Sequence, residues 1–488
     1  MEKYLLIPNS QTPVPRENTL PNLIDQAQPP LEFIPPALNP LVLQVARLLL
    51  PFGIRTKAGI TRIEADNLEV LANLYHQFQE GKTRFMLAFR HPKVEDPLCL
   101  CYLLWYLLPK LAREQNIPLQ SPIHAHFIYD RGIPLWAGEY VGWMASRLGG
   151  TPINRGKADW TGLRTARDLF VNGKFPMAAA PEGATNGHNQ MISPLEPGIA
   201  QFGFWCAEDL QKAGRQEQVV ILPVGIQYRY VTPPWQAIEK LLSELEAKSG
   251  LSVGGQLREA GETSLQEFLY RRLYRLGERF LSVMEDFYSR FYHRTVSKTT
   301  QEQGEANNEN GILKARLQEL LDVALQVTEE YFNLLPKGTL TDRCRRVEQA
   351  GWNYIFREEL KDAQALSPLE RGLADRIAEE ANMRMWHMRL VETFVAVSGE
   401  YVRENPTAER FGETSLLLWD MVTRIDGGNP FNRPRLGKQQ VKITIGEPIS
   451  VSERYPVYKG SRLAARQAVA DLTKDLQQSL EGMIVVGD

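Results

Sequence analysis

Short apolar runs alternate with helical patterns between residues 61 and 230. The runs are residues 85–89 (FMLAF), 123–129 (IHAHFIY), 176–180 (PMAAA) and 219–226 (VVILPVGI). Stretches with helical periodicity, such as residues 160–172, separate them. Apolar runs of this length read as strands covered on both faces. Their alternation with helices predicts an α/β domain with a largely parallel sheet flanked by helices. From 231 to 440 the period is helical instead, and residues 265–291 (LQEFLYRRLYRLGERFLSVMEDFYSRF) are amphipathic throughout. Residues 441–449 (VKITIGEPI) return to a β pattern. A strand after so long a helical stretch predicts an insertion, with the chain coming back to the first sheet. The expected organisation is an N-terminal arm and short apolar helix over 1–60, a core over 61–230, an all-helical insertion over 231–440, and a returning strand and C-terminal helix over 441–488. Residues 1–40 are rich in Pro, Asn and Gln and read as an extended arm. Residues 297–311 have almost no apolar content and read as a solvated linker.

Composition narrows the class. The 488 residues suit about three domains. Hydrophobic residues are 43% and charged residues 23%, as in ordinary globular proteins. Lys plus Arg number 56 and Asp plus Glu 58, for a net charge of −2. This balance excludes a strongly basic nucleic-acid binder and an acidic disordered chain. Four cysteines exclude a disulfide scaffold and fit a reducing compartment. No apolar run reaches the roughly 18 residues of a membrane span. The N-terminus (MEKYLLIPNS) does not read as a secretory signal, because Pro8 interrupts a short apolar stretch. Residues 41–50 (LVLQVARLLL), between Pro40 and Pro51, suit either a helix docked on the core or one lying in a bilayer interface. Trp136 and Trp143, seven apart, carry the same two readings, core or interface.

The sharpest local chemistry is the stretch Arg90-His91-Pro92-Lys93-Val94-Glu95-Asp96-Pro97, directly after FMLAF. In α/β sheets, sites form at strand ends like this one. Five residues on a straight helix turn about 500°, which leaves two side chains about 140° apart. His91 and Asp96 therefore meet only if His91 sits in the turn before a helix and folds back. Pro92 favours that turn. A carboxylate on one ring nitrogen fixes the tautomer and leaves the other as a general base. The plainer reading is that Glu95 and Asp96 complement a helix N-terminus. Residues 150–157 (GTPINRGK) place Arg155 and Lys157 in a Gly-bounded turn suited to an anion. Residues 181–187 (PEGATNG) place Glu182 beside Gly183 at the end of PMAAA, where a backbone can approach a ligand closely. Pro223 interrupts a buried strand, which marks an edge or a special site.

These four blocks, in this order, resemble the glycerolipid acyltransferase family, which contains bacterial 1-acylglycerol-3-phosphate acyltransferase. His91 and Asp96 match its His-x4-Asp block. Asn154 and Arg155 match the second block, Pro181, Glu182 and Gly183 the third, and Pro223 the fourth. Gly446, Glu447 and Pro448 match a later Gly-Glu-Pro. The resemblance covers roughly residues 60–230 and 440–450 and implies the acyltransferase form of the α/β fold. It implies that His91, held by Asp96, deprotonates an acceptor hydroxyl, whose oxygen attacks an acyl thioester (acyl-coenzyme A or acyl carrier protein) directly. Asn154, Arg155, Lys157, Glu182 and Gly183 would bind the acceptor, most simply a lysophospholipid such as 1-acylglycerol-3-phosphate. Pro223 would shape the acyl side. No cofactor or metal is required. The expected place is the cytoplasmic side of a membrane, bound peripherally, with no nucleic-acid partner.

Two departures matter. The family's third block usually continues to an Arg, whereas Ala184-Thr185-Asn186 follows here. The insertion is also unusual; it suits a gate on the acyl channel, a carrier-protein site or a membrane dock. Its nearly balanced charge argues against the acidic carrier. Other readings remain at this stage: a different hydroxyl acceptor, a metal-dependent hydrolase using His91, His124 and His126, or a non-catalytic membrane scaffold. His124 and His126 share one strand face and have a ligand-like spacing. His188 reads as a solvated loop residue. Residues 98–108 (LCLCYLLWYLL) read as a core helix, with an acyl-chain wall as the alternative.

Overall fold

Among the described residues eight strands build one sheet: β1 (Ile60–Asp66), β2 (Thr83–Phe89), β3 (His126–Asp130), β4 (Thr151–Ile153), β5 (Met177–Ala179), β6 (Gln218–Tyr230), β7 (Gln439–Ile445) and β8 (Ile449–Ser450). The computed structural model describes residues 26–154, 159–252, 264–295, 309–361, 366–394, 400–430 and 432–485. Across the sheet the order is β1-β7-β6-β2-β5-β3-β4, with β8 beside β6. Pairing is mostly parallel; only β6 with β7 and β6 with β8 are antiparallel. Every residue of β2 is buried, which is why it reads as a continuous apolar run. Phe85, Leu87 and Phe89 face one core, and Met86 and Ala88 the other. β1 and β4 lie outside the predicted runs for plain reasons. β1 mixes buried and exposed positions without regular alternation, and β4 has three residues.

Helices cover both faces. On the first pack α1 (Pro40–Thr56), α2 (Leu68–Gln79) and α3 (Asp96–Tyr102), which runs through a π-helical turn, Leu103–Leu107, into α4 (Leu108–Glu114). Cys99, Leu100, Leu103 and Leu104 of this stretch are core. α5 (Ile133–Ala137) and α6 (Glu139–Arg147) precede β4, and Gly138 between them has φ 94°. That break separates Trp136 from Trp143, so they do not share a helix. On the second face pack α7 (Trp160–Asn172) and α8 (Gly198–Lys212).

Between β6 and β7 the chain forms a helical body of α9 (Trp235–Lys248), α10 (Leu265–Tyr292), α11 (Glu309–Tyr331), α12 (Leu340–Ile355), α13 (Pro368–Phe394), α14 (Glu400–Glu404) and α15 (Ala408–Ile425). It has its own apolar core. Most of the predicted linker lies outside the described residues, but Glu309–Gly311 already belong to α11. After β7 the chain ends in α16 (Tyr455–Tyr458) and α17 (Arg462–Gly482), and α17 closes the second face. Residues 26–39 run as an extended strap. Gln28 N–H donates to Ile355 O (2.8 Å) at one end, and Asn39 N–H donates to Arg147 O (2.8 Å) at the other. The strap therefore ties the helical body to α6.

α1 is only half docked. Leu43, Leu50 and Ile54 are buried, while Leu41, Val45, Leu48, Leu49 and Phe52 form an exposed apolar stripe, with Leu48 78% and Phe52 68% exposed. Pro51 lies inside the helix. It cannot donate to Arg47 O, and the Tyr106 hydroxyl donates to that carbonyl instead. Beside α1, Trp143 is 44% exposed and stacks on the exposed Tyr140.

Candidate active site

Strands β2 to β6 run parallel, so their C-terminal ends share one edge of the sheet. β2 lies between β5 and β6. The chain leaves it toward β3 on one side and later returns as β6 on the other, a reversal that opens a cleft at the strand ends. His91 stands there, two residues past β2. Its backbone turns before α3, and Nδ1 lies 3.1 Å from Asp96 Oδ2. Lys93 N–H donates to the same oxygen (2.8 Å), and Tyr228 of β6 donates its hydroxyl to Oδ1 (2.5 Å). A carboxylate only accepts, so His91 Nδ1 carries the proton and Nε2 the lone pair. Nε2 has no partner among the described residues, and the side chain keeps 20% exposure against none for Asp96. Burial first, and Asp96 second, hold the Tyr228 phenol well above its usual range, so it stays a donor. Lys93 lies over the Tyr228 ring (4.5 Å to the centroid) and donates to Gln439 Oε1 (2.6 Å). Burial lowers its ammonium pKa.

Glu182, expected to bind the acceptor, sits beside His91 with both carboxylate oxygens engaged by protein donors. Its Oε1 accepts His91 N–H (2.9 Å). Its Oε2 accepts Asn186 Nδ2 (2.8 Å) and Ser193 N–H (3.1 Å). The side chain is fully buried, so it positions the His91 backbone and holds the 182–193 loop. Gly183 has φ +72°, and a Cβ there would collide with the Glu196 carboxylate. The positive φ is what favours glycine here. Asn186, which follows where the family's Arg is absent, also donates to Met191 O (2.8 Å).

The other expected residues are more distant or differently placed. Asn154 follows β4, three strands from β2, hence about 14 Å along the rim. Its N–H donates to Asp159 Oδ2 (2.9 Å). Arg155 and Lys157 lie outside the described residues. Pro223 is buried within the sheet, in register with Ala88, below the rim. It is not at an edge. β6 pairs with β8 up to Ile221 and with β7 from Val224, so Pro223 falls at the changeover. Its carbonyl accepts Gly446 N–H (2.9 Å), and no ladder donor is needed there. His124 and His126 do not join His91. Each offers a ring nitrogen to a carbonyl, of Leu148 and Gly149 (both 2.8 Å), and both rings pack on Phe175. Burial pushes His124 down to about 4. This removes the geometric basis of a three-histidine site. His188 is buried rather than solvated, edge-on to Tyr401 of the helical body (4.8 Å).

Three contributors were hidden in the sequence. Arg90 is buried and donates to the carbonyls of Asn189 (2.5 Å), Met191 (2.7 Å) and His188 (3.1 Å), which pins the 182–193 loop to β2. Tyr228 holds Asp96. Glu413, on α15, brings the helical body to the site: it accepts the Tyr401 hydroxyl (2.6 Å) and lies in the field of Lys93. Burial raises its carboxyl from 4.5 to about 7. Below pH 4.5 it is neutral whether folded or not. Between 4.5 and about 7 the unfolded chain ionises it while the fold keeps it protonated, so stability falls as pH rises through that window. Glu413→Gln is therefore expected to gain on wild type across it, by about 3 kcal/mol, and to hold a constant advantage above it. Thermal melts from pH 4 to 9 measure this.

The site thus combines an oriented imidazole with an open Nε2, a buried carboxylate and phenol behind it, and a loop locked by Arg90 and Glu182. No protein-family model matches the chain, and no similar protein was found among the curated proteins or the solved structures.

Proposed function

We propose that the protein is an O-acyltransferase that moves a fatty acyl group from an acyl thioester to a hydroxyl of a lysophospholipid. The observation that carries this is the His91–Asp96 pair at the C-terminal edge of the sheet, with Nε2 open. Nε2 takes the hydroxyl proton as the alkoxide oxygen attacks the thioester carbonyl. The C–S bond then breaks, the thiolate takes the proton back, and an ester and a thiol leave. The four-block order, including Asn154-Arg155, supports 1-acylglycerol-3-phosphate as acceptor. The missing Arg after Gly183 makes acceptor choice the point to test. Purified protein would be given a labelled long-chain acyl thioester with glycerol-3-phosphate, 1-acylglycerol-3-phosphate, a zwitterionic lysolipid or a phosphate-free alcohol. The reading expects ester formation fastest with 1-acylglycerol-3-phosphate; no ester with any acceptor and either donor refutes it.

Such substrates reside in membranes. No helix among the described residues is long and apolar enough to cross one. Peripheral attachment is favoured by the exposed stripe of α1, flanked by exposed Arg47, Arg55 and Lys57, and by Tyr140 and Trp143. α1 packs on α3, whose first residue is Asp96, and Val94 and Leu98, either side of Asp96 in sequence, are exposed. Leu48→Asp with Phe52→Asp is expected to weaken binding to anionic vesicles by at least tenfold, as flotation measures. Thermal stability should change little, because both side chains are exposed. Unchanged vesicle binding refutes docking through α1.

A further inference from the structure

The helical body holds a pocket of about 120 Å³, partly open to solvent, between α10, α11, α13 and α15 that the transfer site does not use. Its wall is almost wholly Leu, Met, Phe, Tyr and Ala, and Lys314 is the one charged residue among those lining it. Small residues help make the space. Gly277 lies inside α10, where glycine weakens a helix. A Cβ at Gly277 would meet only Leu313, at 3.8 Å, so a larger side chain would fit there. Ala324 of α11 is the second. An apolar wall of this kind offers dispersion contacts to an occupant. Water is a poor filler, since it needs polar partners. A hydrocarbon chain makes those contacts. Lys314 is exposed and suits an anionic head. One turn earlier, on the same face of α11, Asn310 is buried and its Nδ2 has no partner among the described residues.

We propose that the helical body binds one long-chain anionic amphiphile, its tail in this cavity and its head at Lys314. The site is separate from His91, and the proposal stands whether or not the protein transfers acyl groups. Glu413 of α15 lies toward Lys93, whereas Thr414, Leu418 and Met421 line the cavity, about 100° round the helix. One helix is therefore the wall of both.

The test is equilibrium binding of cis-parinaric acid, a fluorescent long-chain fatty acid, to the purified full-length protein. The matching long-chain alcohol is the uncharged control, and 1-acylglycerol-3-phosphate is a competitor. Saturable one-to-one binding is expected, unchanged in His91→Ala. Gly277→Leu and Ala324→Phe, each checked by thermal melting, should weaken it about tenfold or more. Lys314→Ala, an exposed change that leaves packing alone, should weaken the acid about tenfold and the alcohol little. Effective competition assigns the site to lysolipid, and its absence to free fatty acid. The proposal is overturned if wild type shows no saturable binding, if neither filling variant weakens it, or if Lys314→Ala treats acid and alcohol alike.

Discussion

Asp96→Asn is expected to cut the turnover number for acyl transfer by about 10³-fold or more, with the fold intact. The substitution keeps size and shape but replaces one accepting oxygen by an NH₂ group. Three donors converge on the Asp96 carboxylate: His91 Nδ1, Lys93 N–H and the Tyr228 hydroxyl. If the amide oxygen keeps Tyr228, the NH₂ faces His91 and forces Nδ1 to accept. The ring proton then sits on Nε2, where the base must be. If the oxygen turns to His91, the Tyr228 hydroxyl faces an NH₂ group in a buried site, and the ring loses its anchor. Either arrangement disables the imidazole without touching substrate, so the loss belongs in kcat with KM little changed. Tyr228→Phe removes one of the three hydrogen bonds and leaves the carboxylate. Its expected loss is on the order of tenfold. Steady-state kinetics of both variants, beside far-ultraviolet circular dichroism, would check the ranking; equal activity of Asp96→Asn and wild type would contradict it.

Arg90→Leu is expected to cost about 3–5 kcal/mol of stability, among the largest single losses in the chain. The guanidinium is buried and donates to three loop carbonyls. Glu182, its nearest carboxylate at 3.9 Å, is buried as well. Leucine would leave those carbonyls without donors and Glu182 without a nearby positive charge. The same loop reaches β6 through Asn189, whose Oδ1 accepts Tyr228 N–H (2.8 Å). Loosening it would therefore also disturb the phenol behind Asp96. Chemical denaturation measures the stability change, and a loss below about 1 kcal/mol would show that the loop is held by other contacts.

What the sequence revealed follows from range. Strands covered on both faces, β2 and β6, were legible because burial leaves only apolar letters. β1 was not, since its outward residues are polar and its neighbour β7 arrives from the far end of the chain. The His91–Asp96 contact was legible because it spans five residues and a proline. Tyr228 reaches Asp96 across 132 residues, and one tyrosine near the end of a buried strand carries no local sign of that partner. Arg90 follows a buried run, and a charged residue there reads as a strand end unless the carbonyls of the distant loop are known. Glu182 was found, but its type and position did not tell an acceptor-binding carboxylate from one that binds the backbone. That distinction lies in where its oxygens point. Glu413 comes from the helical body, whose approach to the site no local pattern announces.

The central claim is that His91, oriented by Asp96, is the base that activates the acceptor hydroxyl. Its most direct test is the initial rate of labelled ester formation from an acyl thioester and 1-acylglycerol-3-phosphate, wild type beside His91→Ala at equal concentration. His91 is partly exposed, so the variant should fold and melt as wild type does. The account predicts ester from wild type and a rate at least about 10³-fold lower from His91→Ala. Equal rates for the two proteins would contradict it.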